Sequence, residues 1–186
     1  MESMTTRLPV TLVFVSGDVL AGEFLLSTVD GDQVQGHRLV LRFDGEEIAV
    51  ADCEYFSALA AIRSALEPRG LAPRCYGASR NVYPSRLTRD WGGMRAYRMF
   101  LGRPGAVEDL VSIFDDGPDV DPVSVQVQEE FYLEWTRSLD PTRRVAAEAA
   151  AARPSRRFRW LPIFNTRKGL TVPDPGADVA SAEAPR

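Results

Sequence analysis

Cys75 and Arg80 are the first pair of residues in this chain whose types could do chemistry together. They lie in the stretch "CYGASRNVYPSRLTRDWGG" (residues 75–93), which shows neither a helical stripe nor a strand alternation. A thiolate that attacks phosphorus beside an arginine clamp needs five residues between the two, then Ser or Thr. Here four residues intervene and Asn81 follows, so the guanidinium would be misdirected. No helix N-terminus close behind Cys75 lowers its thiol pKa. Ser79 and Ser85 lack a GxSxG elbow and have no nearby base. The segment "SRLTRD" predicts one helical turn capped by Ser85, and Gly92-Gly93 a turn into the next strand. On this reading the stretch is a stiff polar loop.

Two scarcities exclude whole classes of chemistry. His37 is the only histidine and falls in a predicted turn before a strand, so a Ser-His-Asp or Cys-His arrangement has one weak option. Cys53 and Cys75, with one histidine, lack zinc-type spacing, and two separate thiols fit a reducing compartment better than a bridge. The single lysine, Lys168, lies in the tail without a phosphate-binding loop around it. Neither a metal nor a cofactor is expected, and a non-catalytic protein is the favoured reading.

Charge is segregated along the chain. Arg69, Arg74, Arg80, Arg86, Arg89, Arg95, Arg98 and Arg103 stand against Asp90 alone. Glu108, Asp109, Asp115, Asp116, Asp119, Asp121, Glu129, Glu130 and Glu134 then follow without a basic residue. Either the two blocks face each other or are solvated, or the basic block attracts an acidic partner. Tyr76, Tyr83 and Trp91 between the arginines could stack on bases, but the chain carries a net charge of −4 and no nucleic-acid motif, which argues against nucleic acid.

The elements that must position these residues read as an α+β domain. Residues 9–16 predict a first strand rather than a leader, and 19–29 a second strand interrupted at Gly22. "RLVLRF" alternates over 38–43, and Asp44-Gly45 predicts a tight hairpin turn into "EEIAV". Asp52 is the expected cap of a helix whose Tyr55, Leu59, Ile62 and Leu66 form one stripe, stopped by Pro68 and Gly70. "LAPRCYG", 94–102 and 109–114 predict further strands, with a turn at 102–105. A second long helix over 123–139 carries Val127, Phe131, Trp135 and Leu139 as its core stripe. The expected architecture is a single domain at 1–140, a mostly antiparallel sheet with two long amphipathic helices on one face. Residues 141–186 predict an alanine-rich segment and a partly disordered tail, in which Trp160, Ile163 and Phe164 either fold back or dock to a partner. No run approaches the ~20 apolar residues of a membrane span, and a cytoplasmic protein is expected.

The helix "YFSALAAIRSAL", the Cys-x-Gly-x-Ser run at 75–79, the "YPS" at 83–85, the glycine turn and the "AY" strand at 96–97 together resemble a group of small uncharacterised bacterial proteins. The resemblance covers about residues 8–139. It departs at Ser85-Arg86-Leu87, where such proteins carry Ser-Gly-Met, and at Trp91-Gly92, where they carry Met-Gly. It implies one folded unit and, by association, an immunity or injection-system accessory role. The expected function is a protein-binding module, with Arg74, Arg80, Tyr83, Ser85, Arg86, Arg89 and Trp91 as contact candidates. The alternative is an enzyme or sensor whose Arg80, Arg86 and Arg89 clamp an anionic small molecule.

Overall fold

Strand alternation and one helical stripe account for the main layer of this computed structural model, which describes residues 5–30 and 35–140, within a compact unit spanning Met1–Ala152. Strands β1 (Thr6–Phe14), β2 (Val19–Asp30), β3 (Gln35–Phe43), β4 (Glu46–Asp52) and β5 (Leu71–Arg74) form an antiparallel sheet in the order β4-β3-β2-β1-β5. The registers Leu12↔Leu20, Leu8↔Phe24, Phe24↔Leu41 and Leu41↔Ile48 line up every second side chain on one face. That face and helix α1 (Tyr55–Leu66) share the core: Leu12, Phe24, Leu39, Leu41, Leu59, Ile62 and Leu66 are fully buried. Each such side chain contributes ~1.5–3 kcal/mol of transfer free energy. Helix α1 touches β3 and β4 at one edge and β5 at the other, so the sheet curls around it.

A second, smaller sheet has the order β6-β7-β8, with β6 at Val82–Tyr83, β7 at Arg95–Arg98 and β8 at Leu110–Ser112. Between β6 and β7 lies the short helix α2 (Arg86–Asp90), and the described chain closes with α3 (Val125–Ser138). The α+β expectation holds, with an antiparallel sheet as its base. Among the described residues no helix is long and apolar enough to cross a membrane.

Several local expectations need correction. β2 runs through Gly22 without interruption, because Gly22 pairs with both Val10 and Phe43 and a side chain there would crowd the Arg42 carbonyl. His37 lies in β3, paired with Asp52, rather than in a turn. Glu54, not Asp52, caps α1: its carboxylate accepts from Phe56 N (2.7 Å) and Ser57 N (3.0 Å), while Asp52 engages Cys53, outside the helix. The strands expected at 94–102 and 109–114 shrink to four and three residues: the turn expected at 102–105 comes earlier, Arg103 N donating to Phe100 O across Leu101-Gly102, and a 3-10 turn at Val107–Asp109 takes the start of the second strand.

Of the two long helices, α1 has the expected stripe. In α3 the inward face is rotated: Gln128 is buried, Val127 is exposed, and Phe131, Trp135 and Leu139 are half-buried. α3 therefore lies on the rim of the fold. The expectations for the alanine-rich segment and for Trp160, Ile163 and Phe164 fall outside the described residues.

Candidate functional site

Residues 75–93 form an ordered platform stitched into three elements. Cys75 is fully buried, and a 3-10 turn at Tyr76–Ala78 follows it. The turn is held by Tyr76 N donating to Asp115 O and Gly77 N to Ile113 O, both at 2.8 Å. Gly77 has no room for a side chain, since a Cβ there would press on Leu59 and Ile113. On the other side Ser79 bridges Pro122, Arg80 N donates to Asp121 O, and Asp121 N donates to the Ser79 hydroxyl.

The centre of this stitching is a buried pair that the sequence reading missed. Arg63 of α1 donates from Nη1 to Gln128 Oε1 (2.6 Å) and Gly77 O (3.0 Å), and from Nη2 to Val123 O (2.8 Å). Gln128 Nε2 in turn donates to the carbonyls of Gly77, Ser79 and Val82. One guanidinium and one amide thus satisfy carbonyls of the loop that its few bridge and strand pairings leave open. Burial lowers the basicity of Arg63 from its ordinary value. The signal was a polar side chain on each helix's inward face: Arg63 beside Ile62, and Gln128 one turn before Phe131 and Tyr132.

Beyond Ser79 the chain turns outward. Ser85 caps α2 as expected, its Oγ accepting from Thr88 N at 3.2 Å. Gly92 and Gly93 then take positive φ angles of 85° and 69°. Gly92 O accepts from Tyr55 N, and Gly93 lies so close to Glu54 that a Cβ would collide with the carboxylate. The Glu54 carboxylate also takes the Arg89 guanidinium at 2.7 Å and the Ser57 hydroxyl. The N-terminus of α1 and the C-terminus of α2 are therefore one packed joint.

The candidate residues separate into those used by the fold and those left at the surface. Arg74 pairs with Asp116, Arg80 lies over the Phe131 ring, and Arg89 pairs with Glu54 and covers Tyr83 and Phe56. Ser85 is a cap. Tyr83 is half-buried and stacks on Tyr132 at 4.1 Å between ring centres. Trp91 stands 73% exposed, with Leu87 at 53% and Met94 at 42%. Arg86 and Arg95 have no ion-pair or hydrogen-bond partner among the described residues.

The charge blocks meet at three ion pairs. Five of the eight arginines hold carboxylates, and three of these reach the acidic block: Arg74–Asp116, Arg98–Asp119 and Arg103–Asp109. Arg98 and the Tyr76 hydroxyl together hold the Asp119 carboxyl below its usual range, the hydroxyl being the larger cause. Among the described residues Arg80, Arg86 and Arg95 hold no carboxylate; Arg80 lies over the Phe131 ring, and Arg86 and Arg95 flank the exposed apolar residues.

Two depressions adjoin at Tyr97, one on each side of α2. The first, about 410 Å³, is lined by Tyr83, Arg86, Tyr97, Met99, Tyr132 and Trp135, with Pro84, Ser85 and Gly105. One wall is a row of rings, Tyr83 on Tyr132 and Tyr132 on Trp135 at 6.0 Å. The Trp135 indole donates to Arg103 O, which ties that wall to the Phe100–Arg103 turn. The second, about 350 Å³, is lined by Leu87, Thr88, Trp91, Met94, Arg95, Tyr97, Leu110 and Ser112.

Nucleophilic chemistry finds no support in this geometry. Burial pushes the Cys75 thiol up to about 12, with the nearby backbone amides and the Arg63 guanidinium opposing it only in part. Ser79 is buried and its hydroxyl is taken by Asp121 N. Cys53 is exposed, but its hydrogen bond to Asp52 and the neighbouring carboxylates raise its thiol above the ordinary value. No protein-family model and no curated protein matches this chain. The arrangement defines a rigid α+β platform that displays aromatic and aliphatic side chains between two free guanidinium groups.

Proposed function

We propose that this chain is a protein-binding module whose contact face is the segment from Tyr83 to Arg95. The observation that carries the reading is the exposure of Leu87, Trp91 and Met94 together on one side of a tightly anchored helix. Large apolar side chains clustered in the open are costly unless covered, and a tryptophan flanked by arginines has the composition of a binding hot spot. The anchoring strengthens the reading, since a pre-ordered face loses little entropy on association. Its biological setting is proposed as an immunity or injection-system accessory role, which rests on the resemblance to small bacterial proteins alone.

The test is affinity capture from cells of the source organism, with mass spectrometry, using the full chain and its Leu87→Ala and Trp91→Ala variants. A stoichiometric partner that is lost with either variant supports the module. No partner, or one that both variants retain, contradicts it.

A second reading is favoured by one observation: Arg86 enters the 410 Å³ groove beside three tyrosines. Such a groove has the size and the few polar groups of a small-molecule site. An organic anion would set its charged end on Arg86 and its body against Tyr97 and Tyr132. Arg80 and Arg89, engaged with Phe131 and Glu54, add nothing to that clamp. A thermal-shift screen of anionic metabolites, repeated on Arg86→Ala, tests it; stabilisation that vanishes in the variant is the expected result, and a flat screen removes the reading.

A further inference from the structure

The outer face of the β7–β8 pair says what kind of partner fits. Cross-strand pairs Arg95↔Ser112 and Tyr97↔Leu110 share that face, while Ala96 and Val111 on the other face pack into the core. Leu87 and Trp91, one helical turn apart, raise α2 into a wall along it, and Met94 joins the lining. The result is an apolar trough with a guanidinium in its floor. Arg95 opens into it, and Arg86 begins the helix that forms its wall. Asp90 is the one carboxylate between residues 86 and 95, and Arg89 is spent on Glu54, so within this segment Arg86 and Arg95 are the cations without a carboxylate.

Resting on the protein-binding reading, we propose that this trough receives an acidic segment of the partner. One apolar side chain of that segment seats against Leu87, Trp91 and Met94, one of its carboxylates reaches Arg95 in the trough, and a second reaches Arg86 across the start of α2. Guanidinium groups pair with carboxylates by parallel charge-assisted hydrogen bonds, and the exclusion of water by the neighbouring apolar side chains strengthens them. A long polyanion is a worse match than a short acidic segment. The chain carries −4 overall, and the acidic residues of 108–134 that the arginines leave unpaired repel a long polyanion, whereas a short segment meets only the local positive charge.

The experiment selects a random twelve-residue peptide display library against the folded full chain, checked by circular dichroism. Enriched peptides are expected to carry an aromatic or branched aliphatic residue beside at least two carboxylates. A synthetic copy of the best one should lose about tenfold or more in affinity to Arg95→Gln, to Trp91→Ala, and on exchange of its own acids for amides. Arg38→Gln, at an exposed arginine of β3 on the other sheet, should leave the affinity unchanged. Neutral or basic winners, no enrichment, or indifference to Arg95→Gln overturns the proposal. So does a single-stranded oligonucleotide that competes at the same site with the same Arg95 dependence. A captured partner that needs Trp91 while the library returns neutral peptides would leave the module reading standing and remove this one.

Discussion

Gly93 shows how a single residue can set the geometry of the whole face. It takes φ of 69°, and its Cα lies where any side chain would strike the Glu54 carboxylate. Gly93→Ala therefore adds left-handed strain to a collision with a buried charge, and should cost about 2–4 kcal/mol in urea unfolding. Cys75 offers a second test at this scale, through pH. Its folded pKa is about 12, above the ~8.5 of a free thiol, so as pH rises the unfolded chain releases its proton first. The associated stability is complete below about pH 8.5 and should fall by ~1.4 kcal/mol per pH unit above it. Cys75→Ala should remove most of that fall; what remains comes from Cys53, whose thiol Asp52 raises, and from about pH 10 also from Tyr55 and Tyr83, whose pKa values burial raises. A slope unchanged in the variant would show that Cys75 is not its source. In the native chain a thiol reagent should label Cys53 alone, slowly, and faster in Asp52→Asn, because the Asp52 carboxylate is what chiefly holds that thiol protonated.

At the scale of elements, Arg63 and Gln128 decide whether the loop, α1 and α3 act as one body. Removing either leaves buried donors and acceptors without partners, so Arg63→Ala and Gln128→Ala should each cost about 2–4 kcal/mol. The double variant should cost clearly less than their sum, because the second deletion removes groups that the first already orphaned. Arg63→Lys should not restore stability, since an ammonium cannot span Gly77 O, Gln128 Oε1 and Val123 O from one planar fork. Additive costs in equilibrium unfolding would mean that the two side chains stabilise separate parts. These residues were illegible in sequence because periodicity marks apolar stripes, and both are polar residues standing on such stripes. The same limit misplaced the inward face of α3, where Val127 was expected and Gln128 is buried. By contrast the α1 stripe, the Asp44-Gly45 hairpin and the Ser85 cap were legible, because each depends on residues within a few positions of one another.

At the scale of the molecule, the segregated charge of the sequence becomes selective once folded. Which arginine meets which carboxylate depends on contacts up to 42 residues apart, as for Arg74 and Asp116, and no local pattern records them. The fold consumes Arg74, Arg89, Arg98 and Arg103, and leaves Arg86 and Arg95 beside Trp91. Of the seven residues singled out in sequence for contact, Trp91 and Arg86 remain displayed, Tyr83 is shared between core and groove, and the other four serve the platform. The first half of the loop is thus scaffold, and the candidate surface runs from Tyr83 to Arg95.

Site-specific photocrosslinking tests that claim most directly. A benzoylphenylalanine placed at Trp91 or Met94, on the proposed face, is compared in cells with one at Val19, an equally open position in β2. The account predicts one dominant protein adduct from positions 91 and 94 and none from 19. An adduct of equal yield at all three positions, or none at 91 and 94, would contradict it.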